Sequence, residues 1–302
     1  MLPEGIRCIF PAELYEIREE CIFFITTGRV LEAMQDLRSL GIRNVFPIYQ
    51  YDLEFWMKPR WPEIAEIQSG LAQCSEVLED TFSGQVLETV VRRIWGGMEE
   101  PPCMAGVCEE NQYFPADLIK LTDHECFVDA GAFDGDTILD FLSRVKGHFE
   151  RYDAFELCQS NYRRLFDRVS ALQEHGRIRV FELGLADAPG EVVYGEAGMD
   201  SSIGIGEKSG RVDTLDHVLG GRKVTFIKMD IEGFELKALR GAEQTIRKWK
   251  PVLAICVYHE VSHLWEIPLY LKSLVPEYRI YLRHHTQLGY ETVCYAIPAQ
   301  GE

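Results

Sequence analysis

The chain has 302 residues, with 31 basic against 48 acidic side chains and a formal net charge of -17. That length suits one α/β domain of about 200 residues beside a smaller region. The charge repels the phosphate backbone of nucleic acid and an anionic membrane surface alike, so neither is an expected partner.

The N-terminus lacks a basic segment followed by an apolar one, and Cys21-Ile-Phe-Phe-Ile25 is too short to span a bilayer. Neither export nor membrane insertion is expected, and the location read from the sequence is cytoplasmic. A strand over 21–26, a helix carrying Val30, Leu31, Met34, Leu37 and Leu40 with Gly41 as its stop, and a strand over 44–49 predict a β-α-β unit. The aromatics Tyr49, Tyr51, Phe55, Trp56 and Trp61, interrupted by Pro59 and Pro62, suit either stacking on sugar rings or burial at a seam. From Ser69 to Trp95 apolar residues recur at three and four, which predicts one long amphipathic helix or two shorter ones with Gly84 as the weak point. Gly96-Gly-Met-Glu-Glu-Pro-Pro102 has linker composition. Three parts follow: an N-terminal β-α-β region at 1–68 of unassigned role, a helical connector and linker at 69–110, and an α/β domain at 111–302.

Within 111–302, strands are predicted near 126–130, 151–155, 178–183, 224–230 and 252–258, with helices near 136–146, 158–173, 214–219 and 235–248. This alternation signals parallel β-α-β winding. The two last strands, 279–285 and 291–297, are separated by only five residues and must form an antiparallel hairpin. The predicted sheet is therefore mostly parallel, with an antiparallel C-terminal strand. The nine cysteines are odd in number and show no C-x-x-C, so they read as reduced thiols. Cys103 and Cys108, the closest pair, lack the second pair that a zinc site needs.

Two segments run an apolar strand straight into carboxylates: Phe127-Val-Asp-Ala-Gly-Ala-Phe-Asp-Gly-Asp136 and Phe226-Ile-Lys-Met-Asp-Ile-Glu-Gly-Phe-Glu235. In a doubly wound sheet, ligands bind beyond the carboxyl ends of the strands. A pyrophosphate wants G-x-G-x-x-G opening a helix without nearby anions, whereas this loop has Gly131 and Gly135 with Asp134 and Asp136 beside them. Carboxylates so placed favour the cationic S-adenosylmethionine (AdoMet) over a dinucleotide. Asp136 is also expected to cap the helix starting at Thr137. Glu156, 27 residues beyond Asp129, stands where a carboxylate accepts both ribose hydroxyls. Leu185 and Ala186, after the third strand, are candidates for lining the adenine pocket. Asp230 and Glu232 share one face of extended chain and suit a general base, a divalent cation or substrate hydroxyls. His259-Glu-Val-Ser-His263 has the letters of the H-E-x-x-H zinc motif, yet His259 follows a buried strand instead of lying on a helix, so no metal ligand is assigned. His259 remains a candidate base, and Arg283, His284 and His285 either line the same crevice or decorate the last hairpin.

The chain resembles the FkbM-type family of AdoMet-dependent O-methyltransferases. The resemblance rests on Val128-Asp-Ala-Gly-Ala-Phe-Asp-Gly-Asp-Thr137, Ala154-Phe-Glu156, Asp213-Thr-Leu-Asp216, Ile227-Lys-Met-Asp-Ile-Glu-Gly-Phe-Glu235, Leu239-Arg-Gly241 and Lys250-Pro-Val-Leu253. It implies a Rossmann-like α/β fold, AdoMet as cofactor, and methyl transfer to a hydroxyl of a sugar, a glycan precursor or a secondary metabolite. Asp129, Gly131 and Glu156 would be cofactor contacts, together with Phe133, Asp134, Asp136, Leu157, Leu185 and Ala186 along the same loops. Asp230, Glu232 and His259 share the catalytic candidacy. Two positions depart from the family pattern: Leu157 stands where many relatives carry Pro, and His263 where an acidic residue is expected. The expected partner is a small-molecule or glycan hydroxyl acceptor, and a homodimer is left open. A metal-dependent nucleotide-sugar enzyme using Asp230 and Glu232, and a non-catalytic scaffold, are the rival readings.

Overall fold

A computed structural model describes residues 23–25, 36–42, 45–47, 64–95, 104–195, 208–286 and 289–299. The aromatic stretch at 49–61, the linker at 96–102 and Cys103 lie outside the described residues. The chain divides into two compact units, Met1–Trp61 with Arg92–Pro101, and Pro62–Val91 with Pro102–Glu302.

In the first unit, β1 (Phe23–Ile25) pairs in parallel with β2 (Val45–Pro47), as a β-α-β unit requires. Residues 36–39 are helical between them, and Gly41 follows at φ +78°, a left-handed position that favours glycine as a helix stop.

The second unit opens with α1 (Ile64–Val77) and with α2 (Thr81–Trp95) as far as Val91. The break falls at 78–80 instead of at Gly84, which sits inside α2 with open space beside its Cα. The cause is pairing and capping: Leu78 bridges to Ile280, Glu79 N–H donates to the Ile280 carbonyl at 2.8 Å, and Asp80 Oδ1 accepts from Ser83 N–H at 2.7 Å. The main sheet comprises β3 (Cys126–Ala130), β4 (Arg151–Glu156), β5 (Ile178–Glu182), β9 (Phe226–Met229), β10 (Val252–Cys256), β11 (Tyr278–His284) and β12 (Thr292–Pro298). Its order is β11-β12-β10-β9-β3-β4-β5. Only β12 runs against its neighbours, antiparallel to both β10 and β11. The strand order turns between β3 and β9, which is the place in a doubly wound sheet where loops diverge and a crevice opens.

The helices α3 (Asp136–Val145), α4 (Gln159–Ser170) and α5 (Leu215–Leu219) stand where the periodicity predicts them. The predicted helix at 235–248 is two, α6 (Glu235–Arg240) and α7 (Glu243–Trp249). At the interruption the Gly241 carbonyl accepts from Asp216 N–H at 3.0 Å, and the Asp216 carboxylate accepts from the Gln244 and Thr245 N–H groups at 2.9 and 2.8 Å, which caps α7. Two features escape the periodicity. A small sheet ordered β6-β8-β7 contains β6 (Gly184–Leu185), β7 (Gly190–Tyr194) and β8 (Lys208–Asp213), whose short, polar and glycine-bearing runs give no strand signal. Helix α8 (His263–Leu274) carries Pro268 inside it. The missing proline N–H would leave the Leu264 carbonyl without a donor, and Cys74 Sγ of α1 supplies one at 3.4 Å. Against the same helix lies Gly70 of α1, where a Cβ would meet the Trp265 ring at 2.3 Å.

Side chains in register on β4, β3 and β9 form the centre of the core. Phe127 stacks on Tyr152 at 4.8 Å and on Phe226 at 4.7 Å, with Phe141 of α3 closing over them at 5.0 Å. Burying three such rings stabilises the sheet by about 1.5–3 kcal/mol each, and it fixes the strand ends from which the polar loops leave. The described cysteines are thiols, and no described helix is long and apolar enough to cross a membrane.

Candidate active site at the carboxyl ends of the central strands

Asp129 and Lys228 are register partners on β3 and β9, and their side chains form an ion pair at 3.0 Å with both essentially shut off from water. Tyr152 Oη donates to the other Asp129 oxygen at 2.7 Å. Burial opposes the Lys228 charge, but Asp129 and then Asp230 outweigh it and hold the ammonium above its ordinary pKa. Lys228 Nζ also donates to the Gly131 carbonyl at 2.6 Å. Asp129, with no exposed surface, therefore braces the loop from beneath. Gly131 is needed above it: φ is +80°, and a Cβ would lie 1.8 Å from the Asp230 carbonyl oxygen, so no other residue allows the β3 and β9 loops to meet.

That loop delivers Phe133 N–H to Glu156 Oε2 at 2.9 Å, while Cys158 N–H donates to Oε1 at 2.8 Å. Phe133 contributes its backbone here, and its ring lies under the Arg164 guanidinium at 5.2 Å. Burial raises the Glu156 pKa against the lowering effect of those two N–H groups. A buried carboxylate left in that balance has lone pairs suited to further hydroxyl donors.

Asp134 and Asp136 do not act together as the charge argument expects. Both Asp134 oxygens accept from Arg168 of α4, at 3.1 and 2.9 Å, which neutralises the carboxylate. Asp136 is exposed and is the first residue of α3, with its Oδ1 accepting the Thr137 N–H, while the cap position is Gly135 at φ +90° with no side-chain cap. Its charge favours the helix N-terminus. Leu157 packs its Cδ1 over Gly184 and Gly210 of the small sheet, where a Cβ on either glycine would touch it at 3.2 and 2.4 Å. Leu185 and Ala186 are buried, and the Ala186 N–H pairs with the Asp213 carbonyl at 3.0 Å, so they offer little side-chain surface.

The second acidic segment builds the opposite wall. Asp230 Oδ2 accepts from Tyr113 Oη at 2.7 Å, and Oδ1 from Tyr258 Oη at 3.1 Å. Burial, and next to it Asp230, keeps both phenols well above their ordinary pKa, so they stay donors. His259 Nε2 lies 3.5 Å from Asp230 Oδ1 and 3.5 Å from Glu232 Oε2, while Nδ1 lies 2.8 Å from Glu235 Oε1. Burial disfavours the His259 charge, yet Glu235 and then Asp230 and Glu232 overcome it and raise the ring to about 10. A ring so raised favours the imidazolium form, in which Nε2 faces Asp230 and Glu232 while Nδ1 faces Glu235. Glu235 is buried on α6, below the ordinary glutamate range because His259 outweighs its desolvation.

Four residues of this wall are silent in the sequence reading: Tyr113, Tyr258, Glu235 and Glu291. Glu291 lies in the β11–β12 turn at φ +70° and accepts a hydrogen bond from Gln112 Nε2. Burial and then the Asp230 charge push its carboxyl up to about 7. Glu235 had a visible signal, as the last acid of the quoted segment, and Tyr258 ends a predicted strand beside His259; Tyr113 and Glu291 come from loops that carry no periodicity.

Arg283, His284 and His285 serve the architecture. The Arg283 guanidinium, buried, donates to Asp80 and Asp117 at 2.7 Å each and to Ser83 Oγ at 3.1 Å. His284 Nδ1 pairs with Thr292 Oγ1 at 2.8 Å. His285 contacts the Glu109 carbonyl and Tyr295 Oη at 2.9 Å each, and burial lowers its pKa to about 4. A histidine so depressed contributes stability that is present above about pH 6.5 and is lost as the unfolded chain takes up its proton on the way down to about pH 4. Urea titrations of the wild type and His285→Gln between those pH values should show the steeper decline in the wild type.

The methyltransferase FkbM domain matches residues 129–291, more than half of the chain. The chain belongs to the FkbM methyltransferase family. It is accordingly an AdoMet-dependent methyltransferase by class, which sets aside nucleotide-sugar transfer. The crystal structure of methyltransferase FkbM from Methylobacillus flagellatus KT superposes with a TM-score of 0.80 at 26% identity, covering 98% of this chain and 80% of that one. A rRNA methylase from Streptococcus thermophilus gives a TM-score of 0.38 at 16% identity, over 59% of this chain and 88% of its own. Fibrillarin from Aeropyrum pernix, solved with natively bound S-adenosyl-L-methionine, gives 0.38 at 14% identity, over 60% and 70% of the two chains. No curated protein matches the chain.

Proposed function

We propose that this FkbM-family enzyme binds AdoMet across the ends of β3 and β4 and transfers its methyl group to a hydroxyl of a sugar, glycan precursor or secondary metabolite presented at Asp230. The observation that carries the reading is Glu156, buried and fixed by two backbone N–H groups at the end of β4, with lone pairs left for two ribose hydroxyls. Gly131 lets the β3 and β9 loops close against each other beside this carboxylate, and no G-x-G-x-x-G run is present to prefer a pyrophosphate.

AdoMet, when bound, supplies a methyl group already activated by its sulfonium. The chain's own residues then have two tasks. Positioning the acceptor oxygen in line with the S–CH3 bond contributes several kcal/mol. Accepting the hydroxyl proton falls to Asp230, held in place by the Tyr113 and Tyr258 hydroxyls. Asp230 N–H donates to the Ala130 carbonyl at 3.0 Å, so the acceptor-facing carboxylate and the cofactor-facing loop share one hydrogen-bonded support.

The test is calorimetry with AdoMet, S-adenosylhomocysteine, NAD and UDP-sugars, followed by a screen of hydroxylated acceptors for S-adenosylhomocysteine release. Selective binding of the first two, with turnover on an alcohol, supports the proposal. Binding without turnover on any acceptor class would favour the scaffold reading, and no AdoMet binding would end the proposal.

A further inference from the structure

The two histidines of His259-Glu-Val-Ser-His263 converge on one buried carboxylate, Glu235. His259 Nδ1 meets Oε1 at 2.8 Å, and His263 Nδ1, from the first residue of α8, stands 3.4 Å from Oε2. This is not the arrangement of two ring nitrogens around one ion that the H-E-x-x-H letters suggest. It leaves the other nitrogen of His259 aimed elsewhere, between Asp230 and Glu232.

Donor atoms of Asp230, Glu235 and His259 all lie within 4.8 Å of one another. The His259 Nε2 to Asp230 Oδ1 and Nε2 to Glu232 Oε2 separations are both 3.5 Å. Two adjacent ligands of one ion, each bound at about 2.0–2.2 Å, stand roughly 3.0 Å apart in octahedral and 3.4 Å apart in tetrahedral geometry, so the two separations lie close to what one shared ion needs. A histidine that binds a metal through one nitrogen almost always donates from the other to a carboxylate, which fixes the ring and strengthens the ligand. Glu235 does this for His259, and is held in turn by the Ile231 N–H at 2.9 Å.

A second observation is independent of those spacings. Glu235 has no exposed surface, yet its Oε2 makes no hydrogen bond, and neither does the equally buried His263 Nδ1 beside it. The positive charge that a buried carboxylate oxygen in that state needs comes from the His259 side, either as a ring proton or as an ion in its place. The side chains of Asp230 and Glu232 are 23% and 40% exposed, so an ion can enter from the open side.

We infer that His259, Asp230 and Glu232, backed by Glu235, bind one divalent cation of the class that accepts imidazole nitrogen and carboxylate oxygen together, with Mn²⁺ as its representative. The ion takes the place of the Nε2 proton. Beside Asp230 it would polarise the acceptor hydroxyl, and that role rests on the proposed acceptor position. Binding of the ion itself does not.

Chelator-treated full-length protein is titrated with MnCl₂ by calorimetry, and the complex is examined by electron paramagnetic resonance. The expected result is one Mn²⁺ per chain, with a nitrogen coupling from a directly bound ring. His259→Asn should remove that coupling, Glu232→Gln should weaken binding at least tenfold, and Glu235→Gln should weaken it about 10–100-fold. If Glu235→Gln does not fold, the exposed Glu232 decides. Stoichiometric binding of neither Mn²⁺ nor Zn²⁺, or equal affinity in the wild type, His259→Asn and Glu232→Gln, would overturn the site. S-adenosylhomocysteine binding measured on the same samples separates the two failures: its retention without ion binding sinks this inference alone, and its loss with ion binding sinks the cofactor reading alone.

Discussion

Glu156→Ala is expected to weaken S-adenosylhomocysteine binding by about 10²- to 10⁴-fold, because two hydroxyl hydrogen bonds to a charged acceptor contribute roughly 1.5–3 kcal/mol each. The same substitution strips the Phe133 and Cys158 N–H groups of their acceptor, which costs about 1–3 kcal/mol for each group left buried and unpaired. A stability loss and a binding loss therefore arrive together and have to be separated. Glu156→Gln does so: it keeps the shape and one carbonyl oxygen but sets an NH₂ against one of the two backbone donors. Its urea midpoint reports the backbone cost, and calorimetry on the still-folded protein reports the ribose contacts. Wild-type affinity in a folded Glu156→Ala protein would show that the carboxylate is only a loop brace, as Asp129 is.

The contrast between Asp129 and Glu156 shows what the sequence made legible. Both end an apolar strand, and both look like site carboxylates by letter and position. The strands themselves are readable because continuous apolar runs of four to six residues between glycines have few alternatives, so the parallel order and the reversed C-terminal strand follow. Which carboxylate faces the crevice depends on whether a cation stands across the ladder, and Lys228 pairs with Asp129 only through the β3–β9 register. Asp134 escapes in the same way, because its Arg168 partner is 34 residues away. The acceptor wall is the least legible part. Tyr113 approaches Asp230 from a loop 117 residues earlier in the chain, and Glu291 from the last hairpin turn. Loops without periodicity leave no trace of where they return.

Asp230→Asn should lower kcat by about 10²- to 10⁴-fold, the range general-base help contributes, with S-adenosylhomocysteine affinity kept within about threefold. Asparagine preserves the volume and can still accept from Tyr113 or Tyr258, so the wall stays in place while proton acceptance is lost, together with one charged ligand of the inferred cation. A second readout distinguishes this from a general disturbance. Glu291 stands at about 7 because of burial and then the Asp230 charge, so removing that charge relieves one of the causes and lowers the Glu291 pKa. The acid limb of the pH–rate profile carries the Glu291 titration. In Asp230→Asn that limb should move to lower pH while the residual rate falls. If the limb stays in place and kcat drops by less than tenfold, Asp230 only anchors the two tyrosines, and the proton leaves the acceptor by way of Glu232 or Glu291 instead.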